Sequence, residues 1–277
     1  MSNVSEGQAV DSGQGVRGWP GVSGKRVLVT GGTRGLGEQI VRLLTAEGAR
    51  VATCARTAPD LEALKASLDA TGPGRLFARA LDVTEPERLE AFVTASAKRF
   101  GGLDGVVACA GGSRGRGLEQ TDAGDWAATW ELNVGHTARL VRAAVPYLRT
   151  AGGGSVVVIS SISGWKPGPN AQYGTAKSAQ IHLAASLARE LGPDGIRVNA
   201  VSPGSMLIPG RRWDRMRRED PEAFAAFAAA ELPGGEPVAP QEVAHVVAFL
   251  LSDWSSGVSG ANLPVDRAQN APSPDGY

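Results

Sequence analysis

The chain reads as an α/β protein built on a single doubly wound, parallel sheet, and three observations point there. Short apolar runs alternate with stretches of helical spacing from about residue 25 to residue 265. Runs such as "SVVVIS" (155–160) are apolar without alternation, as expected when helices cover both faces of a strand. A glycine-rich turn, "TGGTRGLG" (30–37), marks the first passage from strand to helix. At 277 residues, one substantial core is the simplest count.

The elements follow in order. Strands are expected at Arg26–Thr30, Arg50–Cys54, Leu76–Leu81, Gly105–Cys109, Ser155–Ser160, Arg197–Val201 and Asn262–Val265. Each is a short, mostly apolar run. Helices are expected near Gly35–Glu47, Asp60–Ala70, Glu85–Phe100, Asp122–Arg149, Ala171–Leu191 and Gln241–Leu251. Right-handed crossovers then place helices on both faces of the sheet. Residues 207–237 break the rhythm: long, Pro-bounded and partly helical, they suit an insertion that closes over a site as a substrate lid. Arg211, Arg212, Arg215, Arg217 and Arg218 lie in it, interleaved with Asp214, Glu219 and Asp220, which favours a solvated helix face over an anion patch. Residues 1–20, poor in hydrophobics, read as a flexible extension, 21–268 as the domain, and 269–277 as a tail.

Composition excludes several classes. Acidic and basic residues balance at 28 each, so no global charge argues for nucleic acid or an anionic membrane. No apolar run approaches the ~20 residues of a membrane span, and the polar N-terminus lacks a secretory pattern. A soluble cytoplasmic protein is expected, and no metal. Cys54 and Cys109 each end an apolar run and read as free thiols, too far apart to pair if a third strand separates them.

The glycine turn fits neither the Gly-x-Gly-x-x-Gly dinucleotide pattern nor the ATP-binding P-loop, because Gly31, Gly35 and Gly37 are spaced otherwise and no Lys-Ser/Thr pair follows. A strand, a glycine turn and a helix start still offer backbone N–H groups and a positive dipole end to an anion. Dinucleotide sites that prefer a free 2′-hydroxyl carry an acid after the second strand. Here Ala55 holds that place, Arg56 follows, and Arg34 lies in the glycine loop. Two guanidiniums without a carboxylate favour a 2′-phosphate, hence NADP(H) over NAD(H).

Further along, "QYGTAKSAQ" places Tyr173 and Lys177 four residues apart, on one face of a helix. An ammonium ~4 Å from a phenolate favours it by ~4 kcal/mol at an effective dielectric near 20. That is ~3 pK units, enough to draw a tyrosine toward neutrality before desolvation opposes it. Such a Tyr is a general acid/base for a carbonyl–alcohol pair. Ser161, twelve residues earlier, follows a strand where its hydroxyl can meet a substrate oxygen.

With these residues in order, the chain from about Lys25 to Val265 resembles the short-chain dehydrogenase/reductase family, and in particular its 3-oxoacyl-[acyl-carrier-protein] reductase-like members. Thr30-Gly31-x-x-x-Gly35-x-Gly37 is similar to that family's cofactor loop. The resemblance implies cofactor contacts at Gly31, Thr33, Arg34, Gly35, Leu36, Gly37 and Arg56. It adds Asp82 and Val83 beside the adenine, Ala110 and Gly111 after the fourth strand, Tyr173 and Lys177, and Pro203, Gly204 and Met206 near the nicotinamide. It assigns catalysis to Asn133, Ser161, Tyr173 and Lys177. Tyr173 would exchange the proton, Lys177 would lower its pKa and hold the nicotinamide ribose, Ser161 would orient the substrate oxygen, and Asn133 would hold a relay water. It also implies a seven-stranded Rossmann-fold sheet of order 3-2-1-4-5-6-7 and a homotetramer or dimer packed through the long helices.

Departures from the family pattern are Cys109 where an asparagine is usual, Ile208 where a threonine is usual, and Arg267-Ala268 where two glycines are usual. Ser205 or backbone near Met206 is the expected substitute for the threonine. The function expected is NADP(H)-dependent interconversion of a ketone, or 3-oxoacyl group, and a secondary alcohol. Two alternatives stand beside it: net non-redox chemistry such as epimerisation or dehydration with held cofactor, and non-catalytic dinucleotide sensing. Segments 112–117, 164–170 and the insertion are expected to roof the pocket. Trp165, Trp213 and Met206 point to an apolar or ring-bearing small-molecule substrate.

Overall fold

Seven parallel strands carry the structure: β1 (Arg26–Thr30), β2 (Arg50–Ala55), β3 (Arg75–Ala80), β4 (Gly105–Ala108), β5 (Gly154–Ile159), β6 (Ile196–Pro203) and β7 (Asn262–Val265). They lie in the order 3-2-1-4-5-6-7, as the resemblance implied. This is a computed structural model, which describes residues 21–68 and 74–271. The expected N-terminal extension (1–20), the end of the second helix (69–70) and most of the tail (272–277) lie outside the described residues.

Helices α1 (Gly35–Ala46), α2 (Ala58–Leu68), α3 (Pro86–Phe100), α4 (Ala123–Trp130), α5 (His136–Thr150), α6 (Ala171–Leu191), α7 (Arg212–Glu219), α8 (Pro221–Glu231) and α9 (Pro240–Leu251) complete the fold. The unbroken apolar runs are explained by the pleat. In β1, Leu28 packs with Phe92 of α3, Leu140 of α5 and Ala184 of α6, while Val27 and Val29 pack with Ile40 and Leu44 of α1 and Val247 and Leu250 of α9. Successive side chains thus enter two separate cores, one on each face. Each such fully buried aliphatic side chain contributes ~1.5–3 kcal/mol. Among the described residues no helix is long and apolar enough to cross a membrane.

The insertion, expected to be partly helical, holds two helices, α7 and α8, the second capped where Asp220 accepts from the N–H of Ala223 at 3.0 Å. One departure from the sequence reading concerns a helix: the single helix expected over Asp122–Arg149 is interrupted by a wide π turn, Glu131–Gly135, between α4 and α5. The apolar spacing runs through this turn undisturbed, so periodicity could not reveal it. Such turns occur mostly at functional sites.

The strand order reverses between β1 and β4, and the crevice at the carboxyl ends of such strands is where ligands of open α/β sheets bind. Thr30 sets its floor. Its hydroxyl oxygen accepts from the N–H groups of Cys109 (3.0 Å) and Ala110 (3.1 Å), just beyond the end of β4. Gly31 turns the chain at φ +74°, a conformation open to glycine, and its N–H reaches the Cys54 carbonyl at 2.9 Å. At Gly37 the reason for glycine is contact: a Cβ there would lie 2.2 Å from the Gly31 carbonyl oxygen. Cys54 and Cys109 are both free, with β1 between their strands.

Gly37→Ala must therefore push α1 off the turn. It is expected to destabilise the fold by ~1–3 kcal/mol, a fall of several degrees in Tm. Gly192→Ala, at a helical φ of −55° with open space around it, is the control expected to leave Tm unchanged. Equal melting of the two variants by differential scanning calorimetry would contradict the close-approach account.

Candidate active site

At the adenosine end of the crevice, α1 begins with no side chain capping its first N–H groups: Arg34 occupies the cap position in an extended conformation. The dipole end of a twelve-residue helix is thus left for an anion. Leu36 is buried in the core below the loop, and Thr33 is half-buried at its rim. Burial lowers the pKa of the Arg34 guanidinium, and the positive fields of Arg211 and Arg56 lower it further, while Asp60 opposes them. Three arginines therefore share one region, and Arg211 comes from the insertion. Its backbone is drawn there because Ile208 covers the glycine loop: a Cβ at Gly35 would meet the Ile208 side chain at 3.1 Å, and the N–H of Arg211 donates to the Ile208 carbonyl at 2.9 Å. Asp82 accepts from the Thr84 N–H and hydroxyl (2.9 and 2.8 Å). Burial raises its pKa, but those bonds and the fields of Arg56 and Arg114 outweigh it, so the carboxyl stays below its ordinary range. Val83, next to it, is buried in the core.

The nicotinamide end is built from β4, β5, β6 and the central helices. Ala110 and Gly111 follow β4, and Gly111 lets the backbone approach the site closely, because a Cβ there would lie 2.9 Å from Asn133 Oδ1 and 3.2 Å from Lys177 Nζ. The π turn brings Asn133 into this wall. Its side-chain amide donates to the carbonyls of Gly112 and Thr129, both at 2.7 Å, so the residue is fixed on both sides of the turn. Ser161 follows β5, its hydroxyl accepting from the Ser163 N–H at 3.1 Å. Tyr173 and Lys177 share one face of α6, with Nζ 5.5 Å from the Tyr173 ring centroid.

Protonation differs from the simple i, i+4 expectation. Burial raises the Tyr173 pKa, and a hydrogen bond with Ser161 pulls it back only in part. Burial lowers Lys177 to about 8. The ammonium sits over the phenol ring and donates to the Ile159 carbonyl (2.9 Å) and Gln180 Oε1 (2.8 Å), so in this geometry desolvation governs the phenol. Gln180, which the sequence reading passed over, is completely buried three residues beyond Lys177. The signal available was an amide at i+3 on the face that carries Tyr173 and Lys177.

In the turn after β6, Ser205, the expected donor in place of the usual threonine, is held by Gln269: its N–H donates to Gln269 Oε1 at 2.7 Å and its hydroxyl oxygen accepts from Gln269 Nε2 at 2.9 Å. Gln269 is buried, so the first residue of the expected tail is part of this wall. Pro203 ends β6, Gly204 fits tightly against Asp266, and Met206 packs on the core beneath the glycine loop. Trp213 stacks on Phe227 with centroids 3.9 Å apart, which makes it packing between α7 and α8. Trp165 is 40% exposed, its indole N–H donating to Asn270 at 2.8 Å. Arg218 pairs with Asp214 at 3.2 Å, in keeping with a solvated helix face.

Comparison with known proteins agrees with this architecture. A family model described as enoyl-(acyl carrier protein) reductase matches residues 31–267. Isoepoxydon dehydrogenase from Penicillium expansum is 36% identical over 250 residues, spanning 89% of this chain and 95% of its own. L-sorbose reductase from Gluconobacter frateurii, solved with NADPH and L-sorbose, is similar at a TM-score of 0.86 and 30% identity, over 91% of this chain and 99% of that one. A 7α-hydroxysteroid dehydrogenase solved with NADH and 7-oxo glycochenodeoxycholic acid is similar at 0.82 and 27% identity, over 89% and 94%. On sequence and sheet order alike, the chain belongs to the short-chain dehydrogenase/reductase family of alcohol- and ketone-directed oxidoreductases.

Proposed function

We propose that the protein interconverts a ketone and a secondary alcohol with NADP(H), using Tyr173 as the general acid/base. The observation that carries this reading is the convergence of Ser161, Tyr173 and Lys177 at one end of the crevice, with Arg34 and Arg56 and no acid at position 55 at the other. The residues fit a dinucleotide: an uncapped helix start faces the glycine loop, and Gly111 lets the chain after β4 pass close to Asn133 and Lys177, where a Cβ would collide with Asn133 Oδ1. When bound, the nicotinamide supplies or accepts the hydride.

The chain's own residues divide the remaining work. Arg34 and Arg56 bind the 2′-phosphate by charge-assisted hydrogen bonds, and the α1 N-terminus binds the pyrophosphate. Gly31, Thr33, Gly35, Leu36 and Gly37 shape the loop around it, Asp82 and Val83 flank the adenine, and Ala110, Gly111, Pro203, Gly204 and Met206 border the ribose and nicotinamide. Ser161 holds the substrate oxygen for Tyr173. During reduction Tyr173 gives its phenolic proton to that oxygen; during oxidation it removes the hydroxyl proton. Lys177 holds the nicotinamide ribose and favours the phenolate, and Asn133 supports Lys177 from the π turn.

The exposed indole of Trp165 at the rim supports an apolar or ring-bearing substrate, as does the ring ketone bound by the hydroxysteroid relative. NADPH and NADH each occur among the relatives, so the preference for NADP(H) rests on the arginines. The same reading carries a cytoplasmic homotetramer or dimer.

Tyr173→Phe is expected to lower kcat by ~10²–10⁴-fold on any active ketone, with circular dichroism unchanged. Near-wild-type turnover in that variant would overturn the mechanism. Arg34→Ala combined with Arg56→Ala is expected to raise KM for NADPH by ~10–100-fold while changing that for NADH by less than about threefold. Steady-state kinetics showing equal losses for both cofactors would remove the 2′-phosphate assignment.

A further inference from the structure

Gln180 has no packing reason to be polar. It is fully buried on α6, where an aliphatic side chain would fill the same space, yet every polar hydrogen it owns is used. Its Nε2 donates to the Asn133 backbone carbonyl at 3.0 Å and to Thr137 Oγ1 at 3.1 Å. Thr137 Oγ1 in turn donates to the same Asn133 carbonyl at 2.6 Å. The orientation of the amide follows from this network: turned over, its NH₂ would face the Lys177 ammonium and its oxygen would face the Asn133 carbonyl. The oxygen is therefore fixed on Lys177 Nζ, at 2.8 Å.

From this geometry we infer that Gln180 is a positioning residue for Lys177, an amide brace anchored on the π turn that fixes the ammonium and leaves one N–H for the ribose and phenol side. An ammonium has three donors. Ile159 and Gln180 take two of them, and the third remains on the side of the Tyr173 ring, whose centroid is 5.5 Å from Nζ. The Asn133 carbonyl already accepts from Thr137 and Gln180, two donors for its two lone pairs. Lys177 thus communicates with Asn133 through a side-chain amide, in the place the family resemblance gives to a water. As a neutral acceptor on a buried cation, Gln180 also favours the charged form of Lys177. The other titratable groups facing Lys177 are Tyr173 on the same helix, the Cys109 thiol after β4 and the His136 imidazole on α5. The thiol is pushed up to about 12 and the imidazole down to about 4 by burial, so both are neutral across the working range.

The inference rests on the proposed role of Lys177, and its test is separable from that reading. The chain has five lysines, so ¹³Cε-lysine NMR of the cofactor-free protein can follow Lys177, its signal identified by Lys177→Met. In Gln180→Leu the Lys177 titration is expected to fall by about one pH unit relative to wild type. The alkaline limb of the kcat profile is expected to move down with it, and kcat at pH 8 to fall by about fivefold with the ketone KM little changed. Gln180→Glu, which keeps an acceptor on the ammonium and makes it anionic, is expected to move titration and limb upward. Thr137→Val, a milder change that removes one brace, is expected to shift both in the direction of Gln180→Leu by a smaller amount. A Lys177 titration and pH profile unchanged in Gln180→Leu and Thr137→Val, with only Tm lowered, would overturn the positioning role. So would Gln180→Glu with no upward shift. Failure of the catalytic reading shows separately, as turnover retained in Tyr173→Phe, and leaves the NMR result standing.

Discussion

The site depends on the parting of two parallel strands, and one hydroxyl fixes where they part. β1 and β4 run side by side until β4 ends at Ala108, after which the chain must leave the sheet to open a crevice. Two backbone N–H groups would then lie unpaired at a half-buried position, a cost of up to ~1–3 kcal/mol each. Thr30 accepts from both. That single oxygen sets the level of the glycine turn on one side and of Ala110 and Gly111 on the other. The family's usual asparagine is absent at Cys109, and the side chain there is an apolar thiol, yet the floor is intact because its anchoring comes from β1.

The second constraint is a buried cation. Lys177 lies buried beneath the crevice, and desolvation lowers its pKa to about 8. The surrounding chain answers with oriented carbonyl oxygens rather than with a carboxylate. A carboxylate would bind the ammonium tightly and cancel its field, whereas the dipoles of Ile159 and Gln180 hold it in place and leave its charge available. The π turn belongs to the same arrangement, since it presents the Asn133 backbone carbonyl to Gln180 and the Asn133 side chain to Gly112.

Much of this was legible in the sequence because it is written in residue types with strong local meaning. The alternation of apolar runs and helical stretches gave all seven strands to within a few residues. The glycines at 31, 35 and 37 and the Tyr173–Lys177 spacing located both ends of the crevice. What was not legible depends on contacts distant in sequence or on backbone geometry without a residue signature. The π turn keeps the apolar spacing of an ordinary helix. Gln269 looked like the start of a polar tail, and only the fold brings it against Ser205, 64 residues away. The protonation of Tyr173 followed the same logic: i, i+4 spacing puts two groups on one face but does not fix which oxygen the ammonium points to. For Trp213 the sequence leaves pocket lining and packing open, and its stacking on Phe227 within the insertion decides for packing.

The wide turn at Asn133 also constrains how this helix can change. A π turn is one residue longer than the α-helical turn it replaces, so its loss would amount to a single-codon deletion that straightens the helix. Straightening would rotate α4 by ~100° against α5. Either Thr129 would lose the Arg114 N–H it now accepts at 2.9 Å, or Asn133 would leave the wall beside Lys177. The length of the segment from Glu131 to Gly135 is therefore as much a part of the site as the identity of Asn133.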